Sequence, residues 1–198
     1  MGVCPNLALL TYATAPIRAE VPVLVSRDGA LVPAGTRPFA VDQRFQVAVL
    51  ADLCNECGTC VTACPTAGRP YVDKPRLYVD PADFAVEPDN AFRILGDSAI
   101  EGRFGGATHR LDRRPGDPTC VYRAPGVRAV LDATTFAVLE VEATGPVGED
   151  EHSLAPAAVL AALLAGIAGS MPHLPTAGEP AGAAAGRGTR VAEPALPG

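Results

Sequence analysis

The chain has 198 residues, with 16 Lys and Arg against 22 Asp and Glu, a net charge of −6. That balance, without any lysine-rich run, excludes a phosphate-tracking surface and hence a nucleic-acid partner. Hydrophobic residues make up 48% of the chain and permit a core, but 20 Gly and 20 Pro favour loops and short strands over a helical bundle.

In chain order, residues 20–26 read as a strand, and Arg27-Asp28-Gly29 as a turn leading into 30–32, which together predict a hairpin. Phe45, Val47 and Val49 alternate with Gln46 and Ala48, giving a strand that delivers the chain into Cys54. A Gly- and Pro-containing loop runs on to Tyr71, and 76–79 is a candidate closing strand. Short β segments follow at 92–95, 99–104, 108–111, 120–123, 127–131 and 136–141, the last two forming a hairpin through 132–135. Ala137, Leu139 and Val141 alternate with Glu140 and Glu142, as in a sheet wet on one face. Ser153 can cap a helix with Pro156 in its first turn and one apolar face of Leu160, Leu163, Leu164 and Ile167. Residues 176–198, rich in Ala, Gly and Pro, are expected to be disordered. The expected class is α+β. A first domain with a hairpin insertion fills 1–80, a β-rich subdomain 81–146, a docking helix 147–175 and the disordered tail 176–198.

The chemistry concentrates in CNECGTCVTACP, where Cys54, Cys57, Cys60 and Cys64 follow the C-x2-C-x2-C-x3-C-P spacing of a [4Fe–4S] site. Three thiolates two residues apart can surround one face of an iron cube, with small Gly58 and Thr59 letting backbone N–H groups approach the sulfurs. In two-cluster ferredoxins the cysteine before the proline ligates the other cluster. That rule draws attention to Val3-Cys4-Pro5-Asn6, which mirrors Ala63-Cys64-Pro65-Thr66. Cys4 is then the expected fourth ligand beside Cys54, Cys57 and Cys60. Cys64 either serves a second cluster, whose other ligands another polypeptide or a missing upstream segment would supply, or is an unligated thiol. Zinc is the alternative metal, although structural zinc sites usually combine two knuckles a dozen or more residues apart.

The remaining candidates have plainer readings. Cys120, in a candidate strand without a cysteine neighbour, reads as a core thiol. His109, His152 and His173 belong to no motif and read as surface side chains. No strand-to-helix G-x-G-x-x-G or paired acid and base is present, so no catalytic site is assigned. The apolar stretch 154–169 contains Pro156 and two glycines and is too short for a membrane span. With no secretory signal recognised and with metal-type cysteine spacing, the cytoplasm is the expected compartment.

Residues 51–78, ADLCNECGTCVTACPTAGRPYVDKPRLY, resemble the C-terminal iron–sulfur region of the selenate reductase large-subunit family, relatives of the glutamate synthase small subunit and dihydropyrimidine dehydrogenase. The similarity includes Asn55-Glu56-Cys57-Gly58 and the later Gly68, Pro70, Tyr71 and Lys74, while Val3-Cys4-Pro5-Asn6 is similar to the end of that family's first cluster motif. The resemblance implies a two-cluster module relaying electrons to or from a flavin-containing domain or subunit and an electron-acceptor protein. Because the flavin and nicotinamide domains and three cysteines of the first motif do not occur in this chain, it reads as a fragment without autonomous reductase activity. The leading expectation is that 1–80 is a ferredoxin-like [4Fe–4S] electron-transfer module; the alternative is a zinc or iron–sulfur assembly domain with no redox role.

Overall fold

The computed structural model describes residues 2–64, 68–114, 116–145 and 151–171. It is a mixed, sheet-rich α/β structure with one main C-terminal helix. The expected disordered tail lies outside the described residues, as does His173.

The first strand, β1 (Leu9–Ala13), is followed by a long hairpin, β2 (Ile17–Arg27) and β3 (Ala30–Val41). Asp28 (φ 52°) and Gly29 (φ 79°) both occupy the left-handed region at its tip, a turn whose twist matches that of the flanking strands. The hairpin is therefore where the sequence predicts it, but its arms run well beyond 20–26 and 30–32. Pro33 and Pro38 do not stop β3, because it lies at the edge of a three-stranded sheet in which β2 is central and the two-residue β12 (His152–Ser153) forms the other edge.

The chain then joins a nine-stranded sheet in the order β1-β4-β5-β6-β7-β8-β9-β10-β11. Its later members are β4 (Phe45–Leu50), β5 (Arg76–Leu77), β6 (Ala91–Ile94), β7 (Ala99–Phe104), β8 (Ala107–Asp112), β9 (Thr119–Ala124), β10 (Val127–Asp132) and β11 (Val138–Ala143). Short β5 pairs in parallel with both β4 and β6, and the other neighbours are antiparallel. The division expected at residue 80 thus falls between two adjacent strands of one sheet.

Alternation is clearest in β10, where Val127, Ala129 and Leu131 are buried. In β11 the expected phase is lost. The register shifts between Val130 and Leu131, Phe136 turns at φ 59° into the core, and Leu139 is left 55% exposed instead of facing inward. Asp132 organises this turn by accepting the N–H groups of Thr134 and Thr135, bonds that hold its carboxyl below the usual acid range.

Three helices of one or two turns, α1 (Thr59–Thr62), α2 (Pro70–Asp73) and α3 (Pro81–Val86), precede the 16-residue α4 (Ala155–Ser170). Ser153, in the two-residue β12 (His152–Ser153), accepts the Ala155 N–H through Oγ, and Pro156 fits the first turn as expected. The single apolar face predicted from the leucines is a correction. Ala157, Ala158, Ala161, Ala162 and Gly166 are buried as well as Leu160, Leu163, Leu164 and Ile167. The cause is packing on two sides, against β1, β7 and β8 of the large sheet and β2 and β3 of the small one. Two glycines permit it: a Cβ at Gly102 would stand 2.9 Å from the Leu160 side chain, and one at Gly166 would stand 2.5 Å from the Tyr12 ring. Among the described residues no helix is long and apolar enough to cross a membrane.

Candidate metal centre

Antiparallel pairing of β1 with β4 carries the amino terminus to the cysteine motif. The register joins Leu9 to Val49; five residues beyond each partner, outward from the strands, lie Cys4 and Cys54. The contact persists past the strands, since the Leu50 N–H donates to the Ala8 carbonyl at 2.8 Å. The hairpin between β1 and β4 loops out into the other sheet, so its length does not separate the two cysteines.

After β4 a single tight turn at Ala51–Leu53 leads to Cys54, whose N–H donates to the Ala51 carbonyl at 2.9 Å. The next residues wind closely, with Glu56 (φ 54°) and Gly58 (φ 76°) both left-handed on either side of Cys57. Glycine accommodates this conformation freely; glutamate does so at a cost of about 1–2 kcal/mol. Gly58 is thus needed for its backbone conformation, and nothing would touch a Cβ there. From Gly58 the chain enters α1, which carries Cys60.

Cys4, Cys54, Cys57 and Cys60 line one shared cavity, together with Pro5 and Tyr71 among others. Cys64 is not among the residues lining it; its N–H donates to the Val61 carbonyl at 3.2 Å as α1 ends. Polar groups already approach two of the sulfurs. The Ala8 N–H points to Cys4 Sγ at 3.4 Å, and the Thr59 hydroxyl lies 3.3 Å from Cys57 Sγ. The Thr59 side chain, then its backbone N–H, lower the pKa of exposed Cys57, which favours the thiolate needed for metal ligation. Thr59 therefore contributes a bonding group beyond the small size read from the sequence. Among the described residues no three His, Cys, Asp or Glu side chains stand close enough to share one metal ion. A cubane instead spreads its ligand sulfurs roughly 6 to 7 Å apart.

A polar scaffold absent from the sequence reading braces this end. Asp52 accepts the N–H groups of Val79 (2.9 Å) and Asp80 (3.2 Å), while Asp80 caps α3. Asn90 donates to the carbonyls of Val72 and Lys74, fixing the segment that carries Tyr71. Arg76 reaches Glu56 at 3.3 Å and Glu87 at 3.2 Å. These partners are 20 and 11 residues from Arg76, spacings that match no helical or hairpin rule. Only the parallel placement of β5 beside β4 makes the contacts. Several large apolar side chains are also exposed at this end, with Leu7 at 70% and Leu53 at 49%.

The other candidates lie elsewhere. Cys120 is buried in β9, as expected, and burial pushes its thiol up to about 11. His109 corrects the surface reading: it is half-buried, and its Nδ1 lies 2.5 Å from the Tyr122 hydroxyl. Burial, then nearby Arg103, lowers its pKa to about 4. His152 is half-buried in β12, with no hydrogen-bond partner for Nε2 among the described residues.

Residues 47–67 match the family described as 4Fe-4S binding domain. Comparison with curated proteins and with solved structures finds no match. The matched segment takes in residues 47–50 of β4, the turn after it and the cysteine motif. The match covers residues 47–67 and points to 4Fe-4S cluster binding in this segment, the chemistry of iron–sulfur electron transfer.

Proposed function

We propose that Cys4, Cys54, Cys57 and Cys60 hold one [4Fe–4S] cluster in a ferredoxin-like module that relays single electrons between a flavin-containing oxidoreductase domain or subunit and an acceptor protein. The observation that carries this reading is the cavity shared by these four cysteines from two distant segments. The donor set fits the group, because thiolates are the usual ligands of such clusters and N–H···S bonds tune their potentials. When bound, the cluster supplies a one-electron couple.

The chain's own residues prepare the place for it. The β1–β4 register brings Cys4 to the loop, the left-handed turns at Glu56 and Gly58 wind the loop around the cavity, and Ala8 and Thr59 offer hydrogen bonds to two sulfurs. Pro5 and Tyr71 cover part of the cavity. Exposed Val3, Leu7, Leu53, Val61 and Val72, all near these cysteines in sequence, offer apolar surface to a redox partner. Cys64 is assigned to a second cluster completed by cysteines from another polypeptide segment. The selenate reductase large-subunit resemblance supports the flavin partner, and the cytoplasm is the proposed setting.

Anaerobic reconstitution with iron and sulfide tests this function. The expected product is brown, contains about four irons and four sulfides per chain and accepts one electron. A colourless chain with one zinc would favour the non-redox assembly reading, and about eight irons would refute the single complete ligand set.

A further inference from the structure

The Arg76 guanidinium sits between the cysteine loop and the body of the sheet. One terminal nitrogen meets Glu56 at 3.3 Å and the other meets Glu87 at 3.2 Å, while the guanidinium carbon lies 5.4 Å from the centre of the Tyr78 ring. Tyr78 in turn donates its hydroxyl to Glu87 at 2.6 Å. The Arg76 side chain is 21% exposed and Glu87 23%, so the cation is largely withdrawn from water and held in one orientation. Glu56 is the second of the two intervening residues of the first Cys-x-x-Cys step, lines the cavity and has the unfavourable left-handed backbone noted above.

We propose that Arg76 is a positioning and charge-setting residue for the cluster: it ties down the Cys54–Cys57 loop through Glu56 and shifts the one-electron equilibrium toward the reduced form. The inference rests on the cluster assignment above. Reduction adds one negative charge to the cavity, which a fixed cation nearby favours and the two carboxylates oppose. With Arg76 present the three side chains sum to one negative charge; without it, two carboxylates remain uncompensated beside the site. Tyr78 supports the arrangement by stacking against the cation and occupying the second oxygen of Glu87, so that Glu87 cannot readily turn away.

The test is a mediated redox titration of the reconstituted chain by electron paramagnetic resonance, with iron and sulfide measured on each sample. Arg76→Gln should make reduction about tenfold less favourable, about 59 mV for one electron. Glu56→Gln should shift it the other way, and Arg76→Lys should restore most of the wild-type potential. Potentials unchanged in both charge-removing variants at full iron content overturn the inference while leaving the cluster assignment intact. Failure of the wild-type chain to take up iron overturns the cluster assignment itself. Where Arg76→Gln does not retain iron, Glu56→Gln decides: a shift toward easier reduction supports the charge role, and no shift overturns it.

Discussion

Around α4, apolar side chains from two sheets close on a helix of small residues and leucines; around the cysteine loop, most side chains are exposed or half-buried. Neither the turn at Ala51–Leu53 nor α1 buries a residue. Order at that end comes from strand register, two left-handed residues, and hydrogen bonds and ion pairs formed by Asp52, Arg76 and Asn90. The helical end is stabilised by area removed from water, about 25 cal/mol per Å² of apolar surface. The cysteine end is suited to gain stability from a bound cluster, which shifts the equilibrium toward the form able to hold it. The two ends should therefore respond differently to the same kind of disturbance.

The largest effect separates them outright. Cys57→Ser should abolish the cluster or leave about three irons, while circular dichroism reports the β-sheet core folded. Cys120→Ser, placing a hydroxyl in the buried core, should leave iron unchanged and cost about 1–3 kcal/mol of stability in urea unfolding. Iron loss in the second variant would break the separation between the two ends.

A smaller effect should appear at Gly166. An added Cβ would collide with Tyr12 in β1, so Gly166→Ala should destabilise the chain by about 1–3 kcal/mol. Unfolding midpoints measure this directly. Because β1 also aligns Cys4, reduced cluster retention in the folded variant would reveal coupling between the ends, whereas full retention would sharpen their independence.

The smallest effect concerns His109. Its folded-state pKa of about 4 lies below the ordinary value of 6.5, so between these values the unfolded chain binds more protons. Stability should then fall as pH drops from 6.5 toward 4, by about 1 kcal/mol once partial exposure is allowed for. Urea midpoints at several pH values should show a shallower loss in His109→Phe than in the wild-type chain. Equal slopes would remove His109 as the cause.

Spacing alone pointed to the candidate centre: Cys54, Cys57 and Cys60 form the motif within the matched segment 47–67, and the Cys-Pro pair at Cys4 suggested the proposed crossover ligand. The later strands were legible as short β segments between turns, although the alternation read at 137–142 failed in phase, and Asp28-Gly29 marked the hairpin. Other features depend on distant packing. The segment Leu9–Ala13 has no clear alternation, because its role is set by pairing with β4. β5 falls within the strand expected at 76–79, but nothing local announced its parallel pairing with both neighbours. The alanines of α4 look neutral until a second sheet covers them, and the Arg76 contacts require a fold that no local spacing announces.

The most direct test of the crossover is to compare Cys4→Ser with Cys64→Ser after identical anaerobic reconstitution, measuring iron, sulfide and the reduced-state paramagnetic signal. Cys4→Ser is expected to lose the cluster or fall to about three irons, with Cys64→Ser keeping about four and an unaltered signal. Loss in Cys64→Ser with retention in Cys4→Ser would contradict it and make the site a self-contained motif.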